Sequence, residues 1–331
     1  MSAGSFHECW FFTDPIDIAS STAGIADAMI ENQSEQYGSV GLRNVLHVDA
    51  GEIDGSPFLA LEWFYTVGKA PEALVGLIKI RAAERDGTHV ICAHSLPGYR
   101  QTFADGFAEV VRRLDSGSEA ADPYYEEIYV FELNGLKAAF ASMTMSRDEE
   151  GDTRIDTTEA MLIPISSTEL ATSDSTTVSW STPDGYLINA MDSSVENGEL
   201  TMDLSLQLDD EGAWVVDGSF SGKPISEQLG TEGDPVSALG EMLAVRHLLQ
   251  EPDATSIDLV SWIPDADPAA FTHVTVARDP DSDALGAASI TMGPLKINGE
   301  FDDTGSMRHG TMNVGGVALV MERVFTAGAL R

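Results

Sequence analysis

The chain has 331 residues, with 54 Asp plus Glu against 18 Lys plus Arg and a formal charge of −36. An acidic excess of this size repels nucleic-acid phosphates and sets direct DNA or RNA binding aside. Apolar residues make up 43%, as in a globular chain of about two domains, and no apolar run reaches the roughly 18 residues that span a bilayer.

In chain order, residues 5–12 read as a short strand stopped by Asp14 and Pro15. Residues 16–36 follow as a helix, because Ile18, Thr22, Ile25, Ala26, Met29 and Ile30 recur at three-to-four spacing. Strands come next over 43–49, 59–67, 74–83 and 88–92, with Leu59, Leu61, Trp63, Tyr65 and Val67 alternating onto one face. Arg85-Asp86-Gly87 is a hairpin signal. A second helix is predicted over 101–115, carried by Phe103, Phe107, Val110, Val111 and Leu114, and Ser116 to Pro123 reads as a linker. Strands then dominate: 137–146, 153–165, 176–181, 185–191, 201–208 and 214–220. A helix over 234–250, capped by Asp234 with Pro235 in its first turn, interrupts them. Four more strands are predicted, over 256–263, 271–278, 286–301 and 311–326.

Asp-Gly-type turns between consecutive strands indicate antiparallel sheets rather than βαβ units. The expected fold class is therefore α+β, with antiparallel sheets packed against a few helices. Two units are expected: residues 1–118, a helix-and-sheet domain, and residues 119–331, a larger curved sheet or half-barrel with one helix.

Two stretches carry family resemblances. The turn Ile53-Asp54-Gly55-Ser56-Pro57, the aromatic strand ending Glu62-Trp63-Phe64-Tyr65, Asp86-Gly87-Thr88 and the closing helix Phe103 to Leu114 resemble the PsbP and DcrB superfamily of small α+β domains. That likeness implies an assembly factor, accessory subunit or chaperone. From about 125 to 331, the hairpin rhythm, the Gly222-Lys223-Pro224 turn before a helix and the closing pair around Asp303-Thr304-Gly305 are similar to lipoprotein-carrier half-barrels of the LolA type. That likeness implies a lipid-like ligand. Glu62-Trp63-Phe64-Tyr65 also resembles a strand of lipocalin-like carotenoid hydratases, which implies an enzyme with Glu62 in an enclosed cavity.

Few other motifs carry chemistry. His94-Ser95-Leu96-Pro97-Gly98 lies between a strand and a helix, as a hydrolase nucleophile elbow does, but Ala93 and Pro97 stand where glycines belong. Ser95 and His94 are retained as catalytic candidates beside Glu62, with His247 and His273 as distant partners. Asp279-Pro280-Asp281-Ser282-Asp283 lacks the sixth-position glycine and twelfth-position glutamate of an EF-hand and reads as an acidic hairpin. His7 with Cys9, and His47 with Asp49, pair on strand faces without a third ligand, so no metal and no cofactor are expected.

Met1 to Phe12 lacks the basic start of a signal peptide, and two cysteines, Cys9 and Cys92, make no disulfide framework. A cytoplasmic, soluble protein is expected, with one disulfide left open. The functional expectation is a non-enzymatic binding or accessory protein presenting an apolar groove to a protein segment or hydrophobic small molecule. Trp63, Tyr65, Trp180, Trp214, Phe220 and Trp262 are its candidate ligand contacts. The alternatives are a lipocalin-like hydratase, isomerase or cyclase, a serine hydrolase at Ser95, and an acidic protein that captures a basic partner. Oligomeric state is left open, and the acidity also suits adaptation to high salt.

Overall fold

The computed structural model describes residues 8–69, 71–85, 87–114, 123–230, 233–251, 253–279 and 286–330. The first part of the chain runs β1 (Glu8–Phe12), α1 (Ile18–Tyr37), β2 (Val40–Ile53), β3 (Ser56–Val67), β4 (Leu74–Arg85), β5 (Thr88–His94) and α2 (Arg100–Arg112). Its five strands form one antiparallel sheet in the order β1-β5-β4-β3-β2. Cys9 on β1 stands opposite Cys92 on β5, and the two are joined in a disulfide.

The sheet is covered on both faces because its strands are apolar on both. Leu59, Leu61, Trp63, Tyr65, Ile78 and Ile80 pack beneath α1 residues Ile18, Ala26 and Ile30. On the other face, Ala83, Val90 and Cys92 receive Phe103, Phe107 and Val111 of α2.

The rest begins with a meander: β6 (Tyr125–Leu133), β7 (Leu136–Arg147), β8 (Thr153–Pro164), β9 (Leu170–Ser181), β10 (Leu187–Glu196), β11 (Glu199–Leu208), β12 (Trp214–Phe220) and β13 (Lys223–Leu229). Helix α3 (Ala238–Gln250) follows. Then come β14 (Ser256–Trp262), β15 (Phe271–Arg278), β16 (Ala287–Met292), β17 (Leu295–Phe301), β18 (Met307–Val314) and β19 (Val317–Gly328). Positive-φ pairs at Asn134-Gly135 and Ser221-Gly222 make the tight hairpin turns whose twist suits antiparallel strands.

All fourteen strands form one sheet, because β6 pairs with β19 from Tyr125↔Gly328 to Leu133↔Leu319. A buried polar network lies behind this join. Glu127 accepts hydrogen bonds from Tyr125 Oη at 2.7 Å and Ser306 Oγ at 2.5 Å, and Arg323 donates to Asp302 at 2.6 Å. The sheet also bends back on itself. Trp214 on β12 meets Phe271 on β15 edge to face at 5.8 Å, although both strands lie second from opposite sheet edges.

Helix α3 sits between the two arms. Its Leu239 and Met242 pack with Tyr125, Met145 and Ile155, and its Val245 and Leu248 with Val276, Ala288 and Phe301. The opposite face of β6–β8 packs Val130, Phe140 and Leu162 against the α1 layer. Asp174 of β9 accepts the Ala19 N–H at 2.7 Å and the Ser20 N–H at 2.9 Å, so the second sheet caps the first turn of α1. Asp17, the local cap position, makes no side-chain cap bond.

The α+β expectation is corrected: the fold is predominantly antiparallel β, 59% strand and 15% helix with three helices among the described residues. The physical reason is the β6–β19 pairing, which fuses two meanders into one continuous sheet; its partners lie nearly 200 residues apart and leave no local trace. Three elements also differ. Ser237, not Asp234, caps α3, its side chain accepting from the Gly240 N–H. The Gly222-Lys223-Pro224 turn opens strand β13 instead of leading to a helix. Gly293-Pro294 and Gly315-Gly316 each split an expected single strand into a hairpin. The linker from 116 and its boundary at 118/119 lie outside the described residues, as do His7, Asp86 and residues 280–285 of the acidic hairpin.

Candidate functional site

Side chains alternate across β8, β9 and β10, so one face of β8 and β9 packs on α1 and the opposite face of all three strands lines the space toward α3. On the α3 side lies a cavity of about 380 Å³. Its floor is polar: Thr157 and Glu159 from β8, Ser175, Thr177 and Ser179 from β9, and Asp192 from β10. The helix start contributes Ser237 and Glu241, and the end of β14 contributes Ser261, Trp262 and the following Asp265. Ile155, Leu187, Ala190 and Met292 supply apolar wall.

The electrostatics are one-signed. Burial, reinforced by Asp265 and Asp192, pushes the Glu159 carboxyl up to about 7. Burial also raises Asp192 to about 6, against the opposing hydrogen bond from Thr177 Oγ1 at 2.7 Å, with Asp265 adding to the rise. Glu241 is raised by burial too, although Ser261 Oγ donates to it at 2.7 Å. Among the described residues no Lys, Arg or His lines the cavity. Ser179 is only 8% exposed and lines the cavity, and its hydroxyl makes no hydrogen bond to a described residue. Such an arrangement can hold a cation or exchange protons near neutral pH.

A larger cleft of about 680 Å³ adjoins it across Val236. His247, His273 and Asp258 line this cleft, but both histidines are exposed. The carboxylate-lined cavity is the stronger candidate, despite its smaller volume, because burial raises three of its acids.

The residues singled out in sequence fall in several places. Glu62, Lys79 and His94 are register partners across β3, β4 and β5 on the α2 side. Lys79 is 2% exposed; burial lowers its pKa, its Nζ donates to the Leu96 carbonyl at 2.6 Å, and it lies 3.4 Å from His94 Nδ1. Arg100 pairs with Glu62. His94 is buried near Phe103, whereas Ser95 is exposed, and His247 lies on α3 and His273 on β15 of the larger sheet. The structure thus brings Glu62 and His94 into one cluster and leaves Ser95 outside it.

Trp63 and Tyr65 are core residues beneath α1, with the Arg43 guanidinium 4.1 Å from the Trp63 ring. Trp214 and Phe220 belong to the core between the sheet's arms, and Trp180 is half-buried under Arg154. Trp262 alone of the six lines the cavity.

Glu159, Asp192, Glu241, Asp265 and Ser179 were not found from sequence. On β8–β10, polar residues alternating with apolar ones read as a solvent face, and here that face looks into the cavity; Glu241 lies on α3, and Asp265 is exposed in the loop after β14. Among the described residues no group of three His, Cys, Asp or Glu side chains converges as a metal site, and no helix is long and apolar enough to cross a membrane.

No family model and no curated protein matches the chain. Among solved structures, it is similar to a beta-barrel-like protein of the domain of unknown function DUF1849 from Brucella abortus. That match has 12% identity and a TM-score of 0.46, over 62% of this chain and 98% of that one. It is also similar to a DUF1089 family protein from Pseudomonas aeruginosa, with 13% identity and a TM-score of 0.24, over 59% of this chain and 95% of that one. Both TM-scores are below 0.5, and neither likeness bears on the function.

Proposed function

We propose that this protein is a binding protein that holds a small molecule in the cavity between the curved sheet and α3. The observation that supports it most is a cavity walled by carboxylates, with no Lys, Arg or His among its described lining residues. Leaving charges so placed is costly, and a bound ligand relieves the cost. The carrier-like reading of residues 125–331 is kept in this form, with one amendment: the groove is part acidic and part apolar, and Trp262 is its aromatic contact. The accessory role suggested for the first sheet, and the division into residues 1–118 and 119–331, are proposed alongside.

The test is native mass spectrometry of freshly purified protein beside an Ala190→Trp variant, which fills the cavity. A small-molecule mass excess or ligand-induced stabilisation in the wild type, absent from the folded variant, supports the reading. Equal behaviour of the two overturns it.

A catalytic reading is favoured by one observation: Glu159 and Asp192 titrate near neutrality, as general acids and bases do. It predicts that Glu159→Gln stops turnover of the recovered molecule while leaving it bound. Unchanged chemistry in that variant, or none in the wild type, leaves binding alone.

A further inference from the structure

The cavity's chemistry narrows the ligand, and this inference rests on the binding reading above. Its carboxylates do not crowd one point. Thr177 of β9 is register partner to both Thr157 of β8 and Asp192 of β10, and Glu159 lies two residues beyond Thr157. Two strand spacings and two residues along the strand put the Glu159 and Asp192 backbones roughly 12 Å apart. That spread suits several positive centres along one chain better than a single metal ion.

Between them lie the hydroxyls of Ser175 and Thr177, and Ser179 follows on the same face beyond Asp192, level with Ile155 and Ala190. Ser179, a residue 8% exposed on the cavity face, is the independent sign of a ligand, because its hydroxyl has no hydrogen-bond partner among the described residues. A hydroxyl so placed can accept an N–H bond that water or a ligand must supply. Trp262 adds an aromatic surface of the kind that attracts ammonium groups, and Ile155, Leu187 and Met292 suit a methylene chain.

We propose that the cavity binds an aliphatic di- or polyamine, its ammonium groups placed at the separated carboxylates Glu159 and Asp192 and its methylenes against the apolar wall.

The experiment is calorimetric titration of the full chain with 1,4-diaminobutane and with spermidine, at about 20 mM and about 200 mM salt. A chain of charge −36 attracts any polycation diffusely, so two variants separate the cavity from the surface. One is Glu159→Gln with Asp192→Asn. The other removes two exposed charges in the β7–β8 turn, Glu149→Gln with Glu150→Gln. The expected result is saturable one-site binding that persists at the higher salt. It weakens at least about tenfold in the cavity variant and is unchanged in the turn variant. Circular dichroism confirms that both variants fold.

Equal weakening in both variants, or binding that vanishes with salt, means surface attraction and overturns the proposal. A neutral or anionic molecule recovered from the wild type and lost in Ala190→Trp overturns the amine assignment but leaves the binding cavity standing. No saturable amine binding, with no recovered molecule, removes both.

Discussion

The cavity's charge should be visible in stability. Glu159 is moved from 4.5 to about 7 on folding, and Asp192 from 3.8 to about 6. Between the unfolded and folded values the native state keeps a proton that the unfolded chain has released. Their contribution is therefore fully present below about pH 4 and is lost as pH rises toward about 7. The wild-type melting temperature should fall between about pH 5 and about pH 7.5, and Glu159→Gln should flatten part of that fall. Self-repulsion of the acidic surface acts in the same direction, so the difference between wild type and variant is the quantity to read. An equal slope in both would show that Glu159 is freely solvated. Trp63 makes a contrasting case. It is 2% exposed in the core beneath α1, so Trp63→Ala should cost about 3–5 kcal/mol in urea unfolding. A loss under about 1 kcal/mol would place it in an open groove. The alternation that marked Trp63 and Tyr65 in sequence was legible because it reports burial. It carries no information on whether the buried face meets a helix or a ligand.

At the scale of elements, the start of α3 forms one wall of the cavity, and its seat is backbone on backbone. The Ser237 N–H donates to the Gly185 carbonyl at 3.0 Å and the Leu187 N–H to the Pro235 carbonyl at 2.9 Å. A Cβ on Gly240 would come within 2.4 Å of the Gly185 oxygen. Alanine is the better helix former by about 1 kcal/mol, yet the contact is with main chain that cannot rotate away. Gly240→Ala should therefore destabilise by about 2 kcal/mol or more and open the cavity to amide hydrogen exchange at Ser237–Glu241. A gain in stability would mean that the helix start is loosely seated. The helices themselves were legible from three-to-four spacing: expected at 16–36, 101–115 and 234–250, they run Ile18–Tyr37, Arg100–Arg112 and Ala238–Gln250. The short hairpins at Gly293-Pro294 and Gly315-Gly316 were not, because the apolar pattern continues through them and only the turn chemistry marks the break.

For the whole molecule, what sequence periodicity could not supply is the long-range pairing. β6 against β19 makes one sheet of two meanders, and the meeting of Trp214 with Phe271 bends it around α3. The cavity exists only through those contacts, so its acids looked like surface in sequence. The Cys9–Cys92 bond, 83 residues apart in sequence, adds a tie between β1 and β5, its one sheet neighbour among the described residues. Such bonds persist in oxidising surroundings, which weighs against the cytoplasmic placement expected from cysteine count. The proposed division at 118/119 must also accommodate a core in which Leu61 and Ile80 of the first sheet join Phe140 and Leu162 of the second. The central claim is that the cavity between the curved sheet and α3 is where this protein meets its ligand. The most direct test is methyl NMR of the full chain titrated with spermidine or with the recovered molecule. The account predicts shifts concentrated at Ile155, Leu187, Ile263 and Met292 around the cavity. Shifts at the exposed apolar residues Leu42, Leu74 and Val75 of the first sheet, with the cavity methyls unmoved, would contradict it.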